Sequence, residues 1–153
     1  MEFRFRAKRL DNNEWCYGYY VPLNDLLRGR EADIIYDGSA DIQGDIISPS
    51  YYKVDGNTVL LSTGFVDKND KEIFEGDILR TDVYPYSCQA ENEYDNYYAL
   101  VVFDDESQSL MLQTCKNPNS YVRGISDGLC DILDQDLLNN FEIIGNTVDN
   151  DIL

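Results

Sequence analysis

The sequence contains no histidine, and its 12 lysines and arginines are outnumbered by 29 aspartates and glutamates, for a net charge of −17. Without histidine the chain forms neither a Ser-His-Asp triad, nor a Cys-His pair, nor a His-Glu-x-x-His metal helix. A Gly-x-x-x-x-Gly-Lys phosphate loop and a dinucleotide glycine fingerprint are also missing. These absences exclude the common enzyme classes, so we expect no cofactor and favour a non-catalytic protein.

Cysteine is scarce as well, with four residues widely spaced at positions 16, 88, 115 and 130. No Cys-x-x-Cys pair is present, so the usual zinc patterns are absent and we expect no metal site. No apolar run approaches the roughly 18 residues that span a bilayer, and the first residues lack the apolar core of a signal peptide. We therefore expect a cytoplasmic protein with reduced thiols and no membrane contact.

The acidic charge is unevenly distributed along the chain. Residues 1–30 carry six basic and four acidic side chains, whereas residues 31–153 carry six basic and 25 acidic ones. A body so acidic repels nucleic-acid phosphates, so we expect no direct nucleic-acid binding. Two uses of the charge stay open, namely solubility of a β-rich protein and attraction of a basic partner. The start of the chain carries a basic stripe, formed by Arg4, Arg6, Lys8 and Arg9. We predict that this stripe interacts with the acidic residues of the rest of the chain.

Aromatic side chains are abundant, with 12 tyrosines, six phenylalanines and one tryptophan, and they favour strands over helices. Apolar and charged residues alternate from Phe3 to Lys8, and an aromatic run at 15–21 follows a turn, which predicts a hairpin over residues 2–21. Asp55-Gly56 predicts a second hairpin, joining residues 51–54 to 58–61. Further strands are predicted at 34–36 and 42–47 around Asp37-Gly38, at 73–79, and at 97–103 and 110–114 as a third hairpin.

One helix is predicted near the C-terminus, before a last strand at 141–144. Its apolar residues recur at spacings of three and four, and they are Leu129, Ile132, Leu133, Leu137 and Leu138. Residues 82–96 are polar, rich in tyrosine and contain a proline, which predicts a loop insertion. Tyrosine gives a large contact area at low entropic cost, and acidic neighbours favour a basic partner. We therefore predict a partner-contact loop formed by Tyr84, Tyr86, Glu91, Glu93 and Tyr94.

Carboxylates are the remaining candidates for chemistry, and the densest group lies at positions 67–77. A calcium loop does not fit, because Lys71 and Glu72 stand where an oxygen ligand and then a glycine are needed. We interpret this segment as a polar hairpin turn. With 29 acidic residues in the chain, a carboxylate-dependent hydrolase built elsewhere stays an alternative.

The same segment carries a family resemblance. Residues 62–79 read Ser-Thr-Gly-Phe-Val-Asp-Lys-Asn-Asp-Lys-Glu-Ile-Phe-Glu-Gly-Asp-Ile-Leu. This run resembles the hallmark of the YopX family, Thr-Gly-Leu-x-Asp-Lys-Asn-Gly-x-Glu-Ile-Tyr-Glu-Gly-Asp-Ile. The opening hairpin and residues 141–146 are similar to the family's first and last segments. The chain departs from the hallmark at Phe65, Asp70 and Phe74, of which Asp70 stands in place of the turn glycine.

The resemblance implies a small protein encoded by a bacteriophage or prophage, without an established activity. It implies a mainly β fold, with an SH3-like barrel begun by the Glu-Gly-Asp-Ile strand. We expect a β-rich N-terminal part at 1–50 and the barrel at 51–153, with the 82–96 loop inserted in the barrel and one short helix near the C-terminus. In this interpretation Asp67 to Asp70 make the turn, Ile73 and Ile78 face the core, and Gly76 allows a bend.

Three functions remain in competition. The leading one is a non-catalytic phage accessory protein acting by protein contact in the bacterial cytoplasm. The second is an acidic nucleic-acid mimic that inhibits a host DNA-binding or defence protein, and the third is the hydrolase. Exposed aromatic strands also make a homo-oligomer compatible with the sequence.

Overall fold

The structure is a computed structural model that describes residues 4–22, 33–82, 96–115 and 130–150. The chain divides into two compact units, Met1–Ser62 and Thr63–Leu153. Position 50, at which the sequence analysis divided the chain, lies inside a strand that runs from Ile46 to Val54. The two units are therefore described separately below.

The described residues form eleven strands and one short helix, which confirms the prediction of a mainly β fold. The strands are β1 Phe5–Lys8, β2 Trp15–Val21, β3 Asp33–Gln43, β4 Ile46–Val54, β5 Leu60–Val66, β6 Glu72–Phe74, β7 Asp77–Thr81, β8 Tyr97–Asp104, β9 Ser109–Cys115, β10 Cys130–Ile132 and β11 Glu142–Asn146. Helix α1 covers Gln135–Leu138. No helix in the described part of the chain is long and apolar enough to cross a membrane.

The first unit is built on an antiparallel sheet in the order β4-β3-β2-β1, with the start of β5 on the outer side of β1. The hairpin predicted over residues 2–21 is confirmed, because Ala7 of β1 lies opposite Cys16 of β2. Alternate residues of a strand point to opposite faces. One face therefore forms the core of the unit, around the buried side chains of Ala7, Cys16, Ile35 and Val54.

The sheet of the first unit curls, since the end of β4 returns to the end of β1. Arg9 forms an isolated bridge with Val54, and the N–H of Leu10 donates to the carbonyl of Lys53 at 3.0 Å. The hairpin predicted at Asp55-Gly56 is wrong, because β4 pairs with β3 and β5 pairs with β1. Asp55 instead caps a 3-10 turn, Gly56–Thr58, that carries the chain across to the free edge of β1.

Strands β3 and β4 form a long hairpin that the sequence analysis divided wrongly. The predicted turn at Asp37-Gly38 lies inside β3, where the register shifts between Tyr36 and Ala40. The true turn is Gly44-Asp45, because Gln43 lies opposite Ile46. Gly44 has a φ of +62°, and a glycine with positive φ opening a two-residue loop is typical of a type II′ turn.

The second unit contains a five-stranded antiparallel sheet in the order β10-β9-β8-β7-β11, and the end of β5 and β6 precede it in the chain. Its core is formed by Ile73, Leu79, Ala99, Val101, Leu112, Leu138 and Phe141, each with at most 1% of its surface exposed. The predicted hairpin of 97–103 with 110–114 is confirmed by the pairing of Phe103 with Leu110. None of the sheets closes into a barrel over the described residues.

The helix is much shorter than the leucine spacing predicts. Only Gln135–Leu138 are helical, and Ile132 belongs to β10. The helix begins at Asp134, whose carboxylate accepts from the N–H of Asp136 at 2.9 Å. A residue that caps a helix cannot lie inside one, so Asp134 cuts the predicted helix in two. Leu129 lies outside the described residues.

Candidate functional site

The predicted partner-contact loop, Tyr84, Tyr86, Glu91, Glu93 and Tyr94, lies outside the described residues. The two tyrosines that follow it in the chain are described. Tyr97 is 7% exposed, and Tyr98 packs against Ile78. These two rings therefore belong to the packing of the second unit.

The carboxylate of Asp67 holds together the turn of the hallmark segment. Its side chain is 1% exposed and accepts from the N–H groups of Asn69 and Lys71, at 2.8 and 2.9 Å. Its second oxygen accepts from the N–H of Ile143 at 3.0 Å, which ties the turn to β11. All three partners are backbone donors of this chain, so Asp67 has a structural role.

The rest of the hallmark segment is also structural. Asp77 is fully buried and accepts from the N–H of Phe74 at 2.8 Å. Ile73 and Ile78 are buried, as predicted, and Gly76 has a φ of +83°. Within the described residues, no three or more histidines, cysteines, aspartates or glutamates are placed to hold a metal ion. The acids of this segment do not converge on a site.

Seven titratable groups of the described residues have shifted pKa values, and three of them show the local causes. The guanidinium of Arg80 donates to the carboxylate of Glu142, with Nε at 2.9 Å, and lowers the pKa of Glu142. Ser39 donates to Asp37 through its hydroxyl and its N–H, which lowers the pKa of Asp37. Burial raises the pKa of the Cys16 thiol, so this cysteine is a poor nucleophile.

The basic stripe contacts aromatic rings. The guanidinium carbon of Arg6 and the Nζ of Lys8 each lie 4.5 Å from the centroid of the Trp15 ring. Arg9 lies over Tyr52 at 4.4 Å, and its Nε also donates to Asp11 at 2.9 Å. An open depression of about 460 Å³ lies here and is lined by Arg9, Leu10, Asp11, Tyr51, Tyr52 and Lys53. Its lining contains one carboxylate, Asp11, which Arg9 engages, so it offers no pair of acids for hydrolysis.

A row of three tyrosines crosses the sheet of the first unit on the face opposite its core. Tyr19 lies opposite Tyr36, and Tyr36 lies opposite Tyr51. The rings of Tyr19 and Tyr36 are stacked, with centroids 6.2 Å apart. Tyr19 and Tyr51 keep 45% and 50% of their surface exposed. We call these three residues the tyrosine row.

Beyond the tyrosine row, the β3–β4 hairpin ends in three exposed isoleucines. Ile42, Ile46 and Ile47 are 67%, 68% and 68% exposed, more than any other large hydrophobic side chain of the described residues. The sequence analysis missed them, because it placed positions 42–47 within one strand. A Gly-Asp pair between two apolar runs is a hairpin signal, so Gly44-Asp45 would have revealed the tip.

Comparison with known proteins gives a family and a fold. The family model described as YopX protein matches residues 4–153, which confirms the resemblance of the hallmark segment. The crystal structure of protein EF1440 from Enterococcus faecalis is similar to this chain, with a TM-score of 0.55 and 21% identity. The match covers 95% of this chain and 93% of that one, and at this identity it shows a common fold alone. None of the curated proteins matches the chain.

Proposed function

The chain belongs to the YopX family, and we propose that it is a non-catalytic phage or prophage accessory protein that acts by contact with another protein in the bacterial cytoplasm. The observation that carries this proposal is the position of its exposed apolar side chains. Nine large hydrophobic residues of the described part are exposed, and seven of them lie in the first unit. Concentrated apolar surface on a soluble protein is typical of a protein-contact region.

The two units also differ in net charge. The first unit has ten acidic and seven basic side chains, a net charge of −3, and the second has 19 and five, a net charge of −14. The less charged unit therefore carries most of the exposed apolar surface. A contact region is depleted of charge at its centre, so the first unit is the better candidate for the main contact.

The predicted loop of Tyr84, Tyr86, Glu91, Glu93 and Tyr94 is a second element of the proposal. Its tyrosines and acids suit a basic protein surface. The second unit is proposed to be an SH3-like barrel, although its sheet is open over the described residues. Its strand order, β10-β9-β8-β7-β11, with a short helix before the last strand, is the order found in SH3-like folds and supports this assignment.

The test is to immobilise the purified full chain, expose it to bacterial lysate, identify the retained proteins and measure their affinity as purified proteins. We expect one reproducible partner with an affinity in the micromolar range or tighter. Deletion of residues 84–96 should weaken the interaction if the predicted loop contributes to it. Absence of any partner that binds as a purified protein would contradict the proposed function.

Nucleic-acid mimicry is the second candidate, because the net charge of −14 lies in a unit of 91 residues. A mimic competes with DNA for its partner, since both present regularly placed negative charges. Double-stranded DNA should then displace the captured protein from the immobilised chain, and an uncharged polymer at equal mass should not. A partner that binds DNA and this chain simultaneously would exclude the mimic.

A further inference from the structure

The distal half of the β3–β4 hairpin extends beyond the core of the first unit. Ile35, opposite Tyr52, is fully buried, whereas the six consecutive residues 42–47 are all exposed. Asp37 fixes the base of the extension, since its carboxylate accepts from Ser39 at 2.6 and 2.8 Å and from the hydroxyl of Tyr52 at 3.3 Å. We call residues 38–50 the arm.

The three isoleucines at the tip of the arm lie on both of its faces. Ile42 lies opposite Ile47 and shares one face with it, while Ile46 lies opposite Gln43 on the other face. Ile47 and Tyr51 are four positions apart on β4 and share a face. Ile42 and Ile47 therefore lie on the same face of the sheet as the tyrosine row. A flat surface reaches only one face of such an arm. Contact with all three isoleucines requires a cleft that encloses the tip.

The free edge of β4 is unsuited to pairing with a further strand along the arm. Pro49 lies opposite Ala40, three residue pairs beyond the Gln43–Ile46 pair that closes the two-residue turn. The pair that closes such a turn is hydrogen-bonded and the pairs then alternate, so the backbone nitrogen of Pro49 faces the free edge. Proline has no N–H to donate, and this interrupts any added ladder. The isoleucine side chains are therefore the better contact group of the arm.

The charge of the arm indicates which residues of the partner should surround the cleft. The arm contains two aspartates, at positions 41 and 45, and no lysine or arginine, and Asp37 lies at its base. Asp45 is part of the turn itself and is exposed. A cleft rimmed by lysine or arginine would complement this charge. Two arms packed against each other would instead bring aspartate against aspartate, and anionic lipid would repel the same groups.

We propose that the arm inserts its isoleucine tip into an apolar cleft of a partner protein, and that the rim of this cleft carries lysine or arginine. This inference rests on the proposed function and names the contact element and the chemistry of the partner. The tip supplies apolar contact, and the aspartates orient it against the basic rim. The strands of the arm are already paired with each other, so little ordering of its backbone is required on binding.

The first experiment locates the contact. A photoreactive phenylalanine analogue replaces Gln43 at the tip of the arm, in the full chain expressed in bacterial cells. The same replacement of Glu106, in the exposed turn between β8 and β9, is the control. We expect a protein other than this chain to be crosslinked from position 43 and not from position 106.

The second experiment measures binding by the crosslinked protein after its purification. Calorimetry compares the wild-type chain with Ile42→Ser/Ile47→Ser and with Ile46→Ser, each of which changes exposed side chains and should keep the wild-type unfolding midpoint. We expect a loss of affinity of about 30-fold for the double variant, as for a hot-spot residue. Phe103→Ser, which truncates an exposed ring of the second unit, should change the affinity less than about threefold.

Charge variants test the basic rim. Asp45→Lys should weaken binding about tenfold and Asp105→Lys much less, because only the first faces the cleft. The wild-type affinity should also fall as the salt concentration rises. If binding is insensitive to both Asp45→Lys and salt, the proposal that the rim of the cleft is basic is wrong.

The outcomes separate this inference from the proposed function. Crosslinking from position 106 alone, or binding unaffected by the isoleucine variants, would overturn the arm contact and leave protein contact standing. Crosslinking of position 43 only to a second copy of the chain would overturn the proposed partner and assign the arm to self-association. Crosslinking from neither position, together with no captured partner that binds as a purified protein, would defeat both.

Discussion

Asp67 is a charged side chain with 1% of its surface exposed, and its stability contribution should be large. Asp67→Ala leaves three backbone N–H groups, those of Asn69, Lys71 and Ile143, without their acceptor. A donor left without an acceptor costs about 1–3 kcal/mol where water does not replace the lost acceptor. We expect the free energy of unfolding in urea to fall by about 3 kcal/mol or more. Asp105→Ala, in an exposed turn, is the control and should change it by less than about 0.5 kcal/mol.

Asp70 lies in the same turn and has a φ of +62°, the left-handed conformation, at the position where the family has a glycine. Glycine adopts this conformation without the steric cost that a Cβ brings. Asp70→Gly should therefore stabilise the protein, by about 0.5 kcal/mol after the added flexibility of the unfolded chain is included. Urea unfolding measures the change, and a loss of stability would show that the Asp70 side chain makes a net contribution.

The lowered pKa of Glu142 predicts how the stability of the protein changes with pH. Arg80 lowers the pKa of Glu142 in the folded protein, so the ion pair stabilises the fold above the ordinary carboxyl pKa of about 4.3. This contribution is lost as the pH falls through the lowered pKa. Wild type should be more stable than Glu142→Gln at neutral pH, and the difference should shrink as the pH falls below the ordinary carboxyl pKa. The exposed Glu106→Gln is the control, and a difference that grows on acidification would contradict the assignment.

At the scale of elements, Gly18 in β2 determines how closely β3 approaches. Its φ is +152°, and a Cβ at this position would overlap the carbonyl of Tyr36. Gly18→Ala should therefore lower the free energy of unfolding by about 3 kcal/mol, since backbone atoms would have to move.

Gly38→Ala is the matched control for this prediction. Gly38 also has a positive φ, +84°, but a Cβ there would meet nothing within 4 Å. Gly38→Ala should therefore lower the free energy of unfolding by only about 1 kcal/mol, the cost of a positive φ for a residue with a Cβ. Equal losses for the two variants in urea unfolding would show that the close approach of β3 contributes nothing.

The elements predicted correctly from the sequence are those whose partners are adjacent in the chain. The hairpins of β1 with β2 and of β8 with β9 have alternating residues on both sides of a polar turn, so the local pattern specifies them. The Asp55-Gly56 hairpin failed because β4 and β5 pair with other strands, and a local pattern contains no information about these distant partners. The predicted helix failed because Asp134 also satisfies a capping role, which leucine spacing does not reveal.

The candidate site was the least predictable part. An exposed isoleucine and a buried one are identical in sequence, and the exposure of Ile42 and Ile47 follows only from the extension of β3 and β4 beyond their core. The hallmark segment was easier, because the glycine at position 76 and the bonds of Asp67 and Asp77 within the segment have local structural reasons. Its structural interpretation could therefore be reached without the fold.

For the whole molecule, the net charge of −17 predicts a salt effect on stability. Like charges repel most strongly in the compact state, and added salt screens this repulsion. Raising NaCl from about 0.02 M to about 0.2 M at neutral pH should raise the unfolding midpoint by a few degrees. The effect should shrink near pH 4.1, the isoelectric point, and an equal effect at both pH values would exclude charge repulsion as the cause. Amide exchange should show the gain mainly in residues 63–153, which carry most of the excess charge.

The aspartate-only charge of the arm also determines how the chain is cut. Trypsin cleaves after lysine and arginine, and the sequence has neither between Arg30 and Lys53. Projecting turns are normally the first places to be nicked by a protease, yet the tip of this arm has no bond that trypsin recognises. Complete digestion therefore releases the whole arm as one peptide, residues 31–53, and any protein crosslinked at position 43 remains attached to it.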